Sequence, residues 1–339
     1  METRKLQEVG GGTFTVSIPK GWATSHGFEV GMELRLYTHR DGSILVRSSD
    51  ADVDRLDDAT IDIDTDGPEA VERAVRTAHA VGFETIRLRR SVAFSDAERE
   101  AVRSAVRGLV GTSVLSESGG EITVRHLLDP SSASVRQSVA QLQYVVVSLL
   151  RDATEAFVDA ADTHARIRDR ADEARRSAGM VTRHFSRSLV SHAELDALDV
   201  SRPELFAYHA IARRLQTAAD QAVRIADIGE KLSEPLAEDA AADVRAAADG
   251  VACAVDDAAT AVVDGDVTMA RRARVRCDDA LESIEAIERR LYDGSVSESV
   301  PTAVALSTAL AHLQRSADCG RSMADTAATT AIRAQCLDI

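Results

Sequence analysis

Leu215-Gln216-Thr217-Ala218-Ala219-Asp220-Gln221-Ala222-Val223-Arg224-Ile225-Ala226-Asp227 returns downstream as Leu313-Gln314-Arg315-Ser316-Ala317-Asp318-Cys319-Gly320-Arg321-Ser322-Met323-Ala324-Asp325. Both stretches read L-Q-x-x-A-D-x-x-x-x-[I/M]-A-D. Two further echoes lie upstream in the same order. Arg170-Ala171-Asp172-Glu173-Ala174, with Ser177 and Val181, aligns with Arg276-Cys277-Asp278-Asp279-Ala280, with Ser283 and Ile287. Asp152-Ala153-Thr154 through Asp159 aligns with Asp257-Ala258-Ala259 through Asp264. Three echoes in one order mark an internal duplication, each copy built of three helices. The chain between the second and third echoes is longer in the first copy, which places a connector around Ser186 to Pro203. Gly265 and Gly294 punctuate the second copy.

The first helix of the first copy starts at a cap on Ser132 or Ser134. It carries Val135, Val139, Leu142, Val146, Leu149 and Ala153 at spacings of three and four. Few aromatics and much alanine predict close helix packing through small side chains.

A chain of 339 residues has room for two or three domains. No stretch reaches the roughly 20 apolar residues of a membrane span, and the most apolar run, Tyr144 to Leu150, fits a buried helix. The charged N-terminus has no apolar signal core, so no membrane insertion and a cytoplasmic location are expected. Cys253, Cys277, Cys319 and Cys336 form no CxxC pair and read as small apolar residues. No P-loop, HExxH or Ser/His/Asp order is present, and an enzyme is not expected. The net charge is −15 and the 40 basic residues include only three lysines, Lys5, Lys20 and Lys231. An acid-rich, lysine-poor surface suits a salt-filled, halophilic cytoplasm, where repulsion is screened. A GC-rich genome gives the same bias.

Residues 1–50 are different: their acidic and basic residues balance, so any contact with a polyanion is expected there. Thr13 to Ile18 alternates, putting Phe14, Val16 and Ile18 on one strand face. Pro19 to His26 reads as a short helix closed by Gly27. Glu33 to Thr38, with Leu34 and Leu36 inward, and Ser43 to Arg47 read as strands joined at Asp41-Gly42. Gly10-Gly11-Gly12 leads into a strand and is a loop, not a phosphate cradle. So short a segment buries little core alone, whereas two copies exchanging hairpins would bury one.

The run from Thr13 to Lys20, then Trp22 to Leu34, then Asp41-Gly42-Ser43-Ile44-Leu45-Val46 resembles the AbrB/MazE/SpoVT swapped-hairpin domain. Met32-Glu33 stands where that family usually has Asp. The resemblance implies an intertwined homodimer that holds double-stranded DNA. By position it points to Arg4, Lys5, Lys20, His26 and Arg35, each of which is equally well read as a solvated surface charge. In strong salt, affinity must come mainly from base edges and DNA shape, because each phosphate contact contributes a salt slope of about −0.9.

Residues 51–130 read as a small βαβαββ domain after a charged linker, Ala51 to Asp58. The expected elements are strand Thr60–Asp64, helix Pro68–Val81, strand Glu84–Arg89 and helix Ser95–Val110. A hairpin, Thr112–Leu115 with Glu121–Leu127, turns over Ser118-Gly119-Gly120. A ferredoxin-like sandwich is one arrangement of this order. Ser95 with Glu98 forms a capping box. Asp62-x-Asp64-x-Asp66-Gly67 opens like a calcium loop but has Arg73 at the twelfth position, where a bidentate carboxylate is needed. Arg87, Arg89 and Arg90 read as a solvated strand face.

Residues 131–339, divided as 131–232 and 233–339, resemble the PhoU family of phosphate-signalling proteins, two tandem three-helix bundles. The match runs through Leu215, Asp220, Ile225 and Ala226, and again through Leu313, Arg315, Asp318 and Ala324. The resemblance implies control of phosphate uptake, with a phosphate transporter's ATPase as one partner. Metal-binding members carry E-x-x-x-D, which stacks two carboxylates on one helix face. Here Gln216 and Gln314 replace the Glu, so no cofactor is expected. Should a divalent metal or iron bind, Asp220, Asp318, Gln216 and Gln314 are its candidate ligands. The rival reading makes them a polar face for a partner. The expected whole is a multidomain α+β regulator: swapped-hairpin β domain, small α/β domain, then an all-α pair of bundles.

Overall fold

The computed structural model describes residues 3–38, 42–48, 56–64, 67–129, 131, 134–161, 163–294 and 299–337. The chain divides into two compact units, Met1–Arg55 and Leu56–Ile339. The first contains β1 (Gln7–Val9), β2 (Thr13–Thr15), α1 (Lys20–Ser25), β3 (Leu34–Thr38) and β4 (Ile44–Ser48). Among the described residues β1 pairs only with β2 and β3 only with β4, both antiparallel. Periodicity placed one strand over Thr13–Ile18, but pairing ends at Thr15. The partner strand β1 went unread, since three residues are too few to show alternation. Gly10 and Gly11 both have positive φ and turn the chain between them. The helix begins after Pro19, which stands at the N-cap rather than inside the first turn. Asp41 and residues 49–55, which include most of the expected linker, lie outside the described residues.

The second unit opens with β5 (Asp58–Asp62), α2 (Pro68–Val81), β6 (Thr85–Arg89), α3 (Asp96–Arg107), β7 (Thr112–Glu117) and β8 (Glu121–His126). The sheet order is β5-β6-β8-β7, with β5 parallel to β6 and the remaining pairs antiparallel. This is not the ferredoxin-like arrangement, which splits its βαβ unit by a strand. Here α2 crosses directly between neighbouring strands, and the β7–β8 hairpin adds on the far side of β6. Val71, Val75 and Ala78 of α2 and Val102, Ala105 and Val106 of α3 pack on Ile86, Leu88, Ile122 and Val124. Strand alternation sends Arg87 and Arg89 to the other face, where they pair with Asp58 and Glu121. Arg90 departs from its expected exposure. It is half-buried, donating to Glu98 at 2.7 Å with its guanidinium over the Phe94 ring. The Glu98 carboxylate also closes the capping box on Ser95 and accepts from the Gly67 amide at 3.0 Å. Those backbone donors from Gly67 and Ser95 lower its pKa to about 2. Gly67, the close of the calcium-like stretch, is thus tied to Glu98; Asp66 lies outside the described residues.

Among the described residues seven helices follow: α4 (Val135–Val158), α5 (His164–Ser188), α6 (His192–Leu198), α7 (Arg202–Gly229), α8 (Glu238–Asp264), α9 (Val267–Tyr292) and α10 (Val300–Leu337). Ser134 caps α4 by accepting from the Gln137 amide at 3.2 Å. The three echoes fall on matched helices, α4 with α8, α5 with α9, and α7 with α10. The extra connector of the first copy is the short α6. One continuous apolar core runs through both copies. Alanine sets the helix spacing, and Gly229 sets it most tightly. A Cβ there would stand 2.7 Å from the Phe157 Cα and 3.1 Å from the Ala156 oxygen. Gly229→Ala should therefore push α7 off α4 and cost about 1–3 kcal/mol in urea unfolding. An unchanged midpoint would show that the helices part freely.

Candidate nucleic-acid interface

Counting across the β3–β4 register places Leu34, Leu36, Val46 and Ile44 on one face, and Arg35, Tyr37, Leu45 and Arg47 on the other. The first face is open at Leu36, 66% exposed, and Ile44, 65% exposed, while Val46 is half-buried and Ser48, opposite Leu34, is buried. Phe14, at 67%, Val16, Ile18 and Trp22 are exposed too. Exposing so many large apolar side chains in so small a unit is what a core divided between two chains looks like before they meet.

The basic candidates lie on separate elements. Arg4 and Lys5 lie exposed just before β1, and Lys20 is the exposed first residue of α1. Arg35 sits directly opposite Arg47, so the hairpin carries two arginines at paired positions on one face. Arg47 escaped the sequence reading; the parity count across the hairpin turn was the signal for it. His26 has a local task. Its Nδ1 stands 2.8 Å from the Trp22 carbonyl, which can only accept, so Nδ1 carries the proton. Its ring stacks on Trp22 at 4.5 Å, and Phe28 packs on the same indole at 5.3 Å. His26 thus closes α1 and leaves only Nε2 for a ligand.

The duplicated carboxylates are engaged by arginines. Asp152 binds Arg170 in the first copy as Asp257 binds Arg276 in the second. Asp227 binds Arg168 as Asp325 binds Arg274. Asp220 is 3.3 Å from Arg175, Asp318 is 3.8 Å from Arg321, and Gln216 accepts from Arg213 at 3.2 Å. Gln314 is exposed on α10. Gln221 and His312 hydrogen-bond at 2.8 Å, joining α7 to α10. Among the described residues no group of three or more His, Cys, Asp or Glu is arranged to hold a metal ion.

A polar centre that no motif announced joins the sheet module to the helices. Arg183, only 1% exposed, donates to the carbonyls of His79 and Phe83, and Arg187 donates to that of Gly82. Two guanidiniums of α5 thus satisfy the carbonyl end of α2, where the helix dipole is negative. Glu194 of α6 accepts from Arg187 at 2.9 Å and from His184 at 2.6 Å. Burial pushes the Glu194 carboxyl up, but these donors outweigh it and leave the pKa below the usual value. Burial and the Arg183 charge push His79 down to about 3 and His126 to about 4.

No helix among the described residues is long and apolar enough to cross a membrane. No curated protein matches the chain. Residues 7–53 match the family described as antidote-toxin recognition MazE, bacterial antitoxin. The N-terminal unit therefore carries a MazE/AbrB-type domain, the kind found in antitoxins and DNA-binding proteins.

Proposed function

We propose that the protein is a homodimeric, DNA-binding transcription regulator of phosphate uptake. Its N-terminal unit pairs with that of a second copy and holds DNA, and its duplicated helices read phosphate status. The observation that carries the first half is the set of exposed large apolar side chains, Phe14, Val16, Trp22, Leu36 and Ile44, within a MazE/AbrB-type match. The second half rests on the PhoU-like pattern written on both α7 and α10. A MazE-type domain also suits an antitoxin. The large folded unit that follows Leu56, in place of a short tail, supports the regulator instead.

The deciding measurement is binding of the full-length protein to a phosphate-transporter promoter and to an unrelated fragment of equal length, in low and in molar KCl. Selective binding that survives molar salt is the expected result. Equal binding to both fragments at every salt would end the regulator reading and leave an adaptor on a transporter ATPase, with the N-terminal unit serving only to dimerise. Arg4→Ala with Lys5→Ala should keep the dimer and reduce the salt slope by about 0.9 for each phosphate no longer neutralised. An unchanged slope would remove both residues from the interface.

A further inference from the structure

We infer that the cleft between α2, α3 and α5 is a binding site for a phosphate-type dianion, either inorganic phosphate or a phosphomonoester. A cavity of about 250 Å³ opens there, lined by Arg76 of α2, Ser104, Arg107 and Gly108 at the end of α3, and Asp172, Arg175 and Arg176 of α5. Four arginines thus line one space that a single acidic residue shares, in a chain whose net charge is −15. Such a gathering repels itself unless anions hold it together.

The carboxylates that offset the arginines stand mainly outside the cavity wall. Glu72 takes the Arg76 Nε at 2.8 Å, Glu100 takes an Arg107 nitrogen at 2.8 Å, and Asp220 shares Arg175 with Asp172. Arg176, half-buried, has no hydrogen-bond or ion-pair partner among the described residues. With its Nε held by Glu72, Arg76 carries its two terminal nitrogens to Gly108. A Cβ on that glycine would stand 3.4 and 3.5 Å from them.

The shape of the donor set selects the ligand. A planar carboxylate is satisfied by one or two guanidinium forks. Arginines converging from three helices match a tetrahedral oxyanion with acceptors on several sides. Because α2 and α3 belong to the sheet module and α5 to the helical array, an occupant ties these two parts of the second unit together. The inference does not depend on DNA binding and can fail or stand separately from it.

The test is calorimetric titration and thermal unfolding of the full-length protein with sodium phosphate, at ionic strength held constant with KCl. Phenyl phosphate and acetate form parallel arms. Saturable phosphate binding that raises the melting temperature, with no such effect of acetate, is expected. Arg176→Gln and Arg107→Gln, each with an unchanged circular dichroism spectrum, should weaken binding about tenfold or more, as loss of charge-assisted hydrogen bonds implies. Arg166→Gln, on α5 but outside the lining, should not. Phenyl phosphate binding tighter than inorganic phosphate would identify a phosphomonoester as the occupant, and weaker binding the free ion. Phosphate acting no differently from KCl, or both lining variants binding as well as the parent, would overturn the site.

Discussion

Leu36→Asp should split the dimer while leaving the single chain's fold in place. In one chain Leu36 is 66% exposed and touches little that the substitution can damage. In a two-fold pair its face, shared with Leu34, Ile44 and Val46, becomes core. Each buried leucine then contributes about 1.5–3 kcal/mol, and symmetry counts the loss twice. The dimer constant should weaken by about two to four powers of ten, more if the carboxylate is buried unpaired. Sedimentation at graded concentrations reads the effect directly, and promoter affinity should fall with it. A variant that sediments as the parent does would show that this face is not the shared core.

Glu194→Gln should destabilise the second unit by about 3–5 kcal/mol, the usual result of removing one partner from a buried ionic group. Without its charge, Arg183 and Arg187 remain as two buried cations against the carbonyl end of α2. The same centre gives the unfolding curve an unusual acid limb. His79, at about 3, lies far below its ordinary 6.5, so the unfolded chain takes up the proton first as pH falls. Stability is full above about 6.5 and declines toward pH 3, at about 1.4 kcal/mol per pH unit for that one group. His126, lowered to about 4, adds to the decline. Glu98 acts later: its stabilisation holds above about 4.5 and is lost as pH falls toward 2. Urea midpoints should therefore start dropping near pH 6.5, before carboxylates titrate, and His79→Asn should make that first part shallower. A flat profile from pH 7 to 5 would refute the neutral, buried His79.

The long elements were legible because their signals are local and repeated. Pro68 and the apolar spacing gave α2 its observed bounds, and Ser95 with Glu98 announced the α3 cap. The duplication was plain because three echoes kept their order, and the longer connector of the first copy became α6. The failures have physical causes. A three-residue strand such as β1 has too few positions to show a period, and strand order depends on pairings that no local pattern encodes. Arg90 read as surface because its partner, Glu98, lies across a turn on another element. The Arg183–Arg187–Glu194 centre was invisible for the same reason, since its acceptors on α2 are about a hundred residues away in sequence. The echoed carboxylates suggested ligands, yet in both copies the structure gives them arginine partners. Repetition of an ion pair that fixes neighbouring helices looks, in sequence, like repetition of a site.

The two helical copies meet like with like. First helix meets first, α4 on α8, and third meets third, α7 on α10. Along the α4–α8 seam, Arg136 pairs with Asp264, Gln143 with Asp256, and Arg151 with Asp249, stepping in opposite directions along the two helices. Like-to-like contacts running antiparallel are the mark of a two-fold axis. Each copy then covers the open side of the other, which is why one apolar core serves both. The two copies are not equivalent, however. Among the described residues only the first carries the short α6, and through its buried Glu194 that copy grips the sheet module.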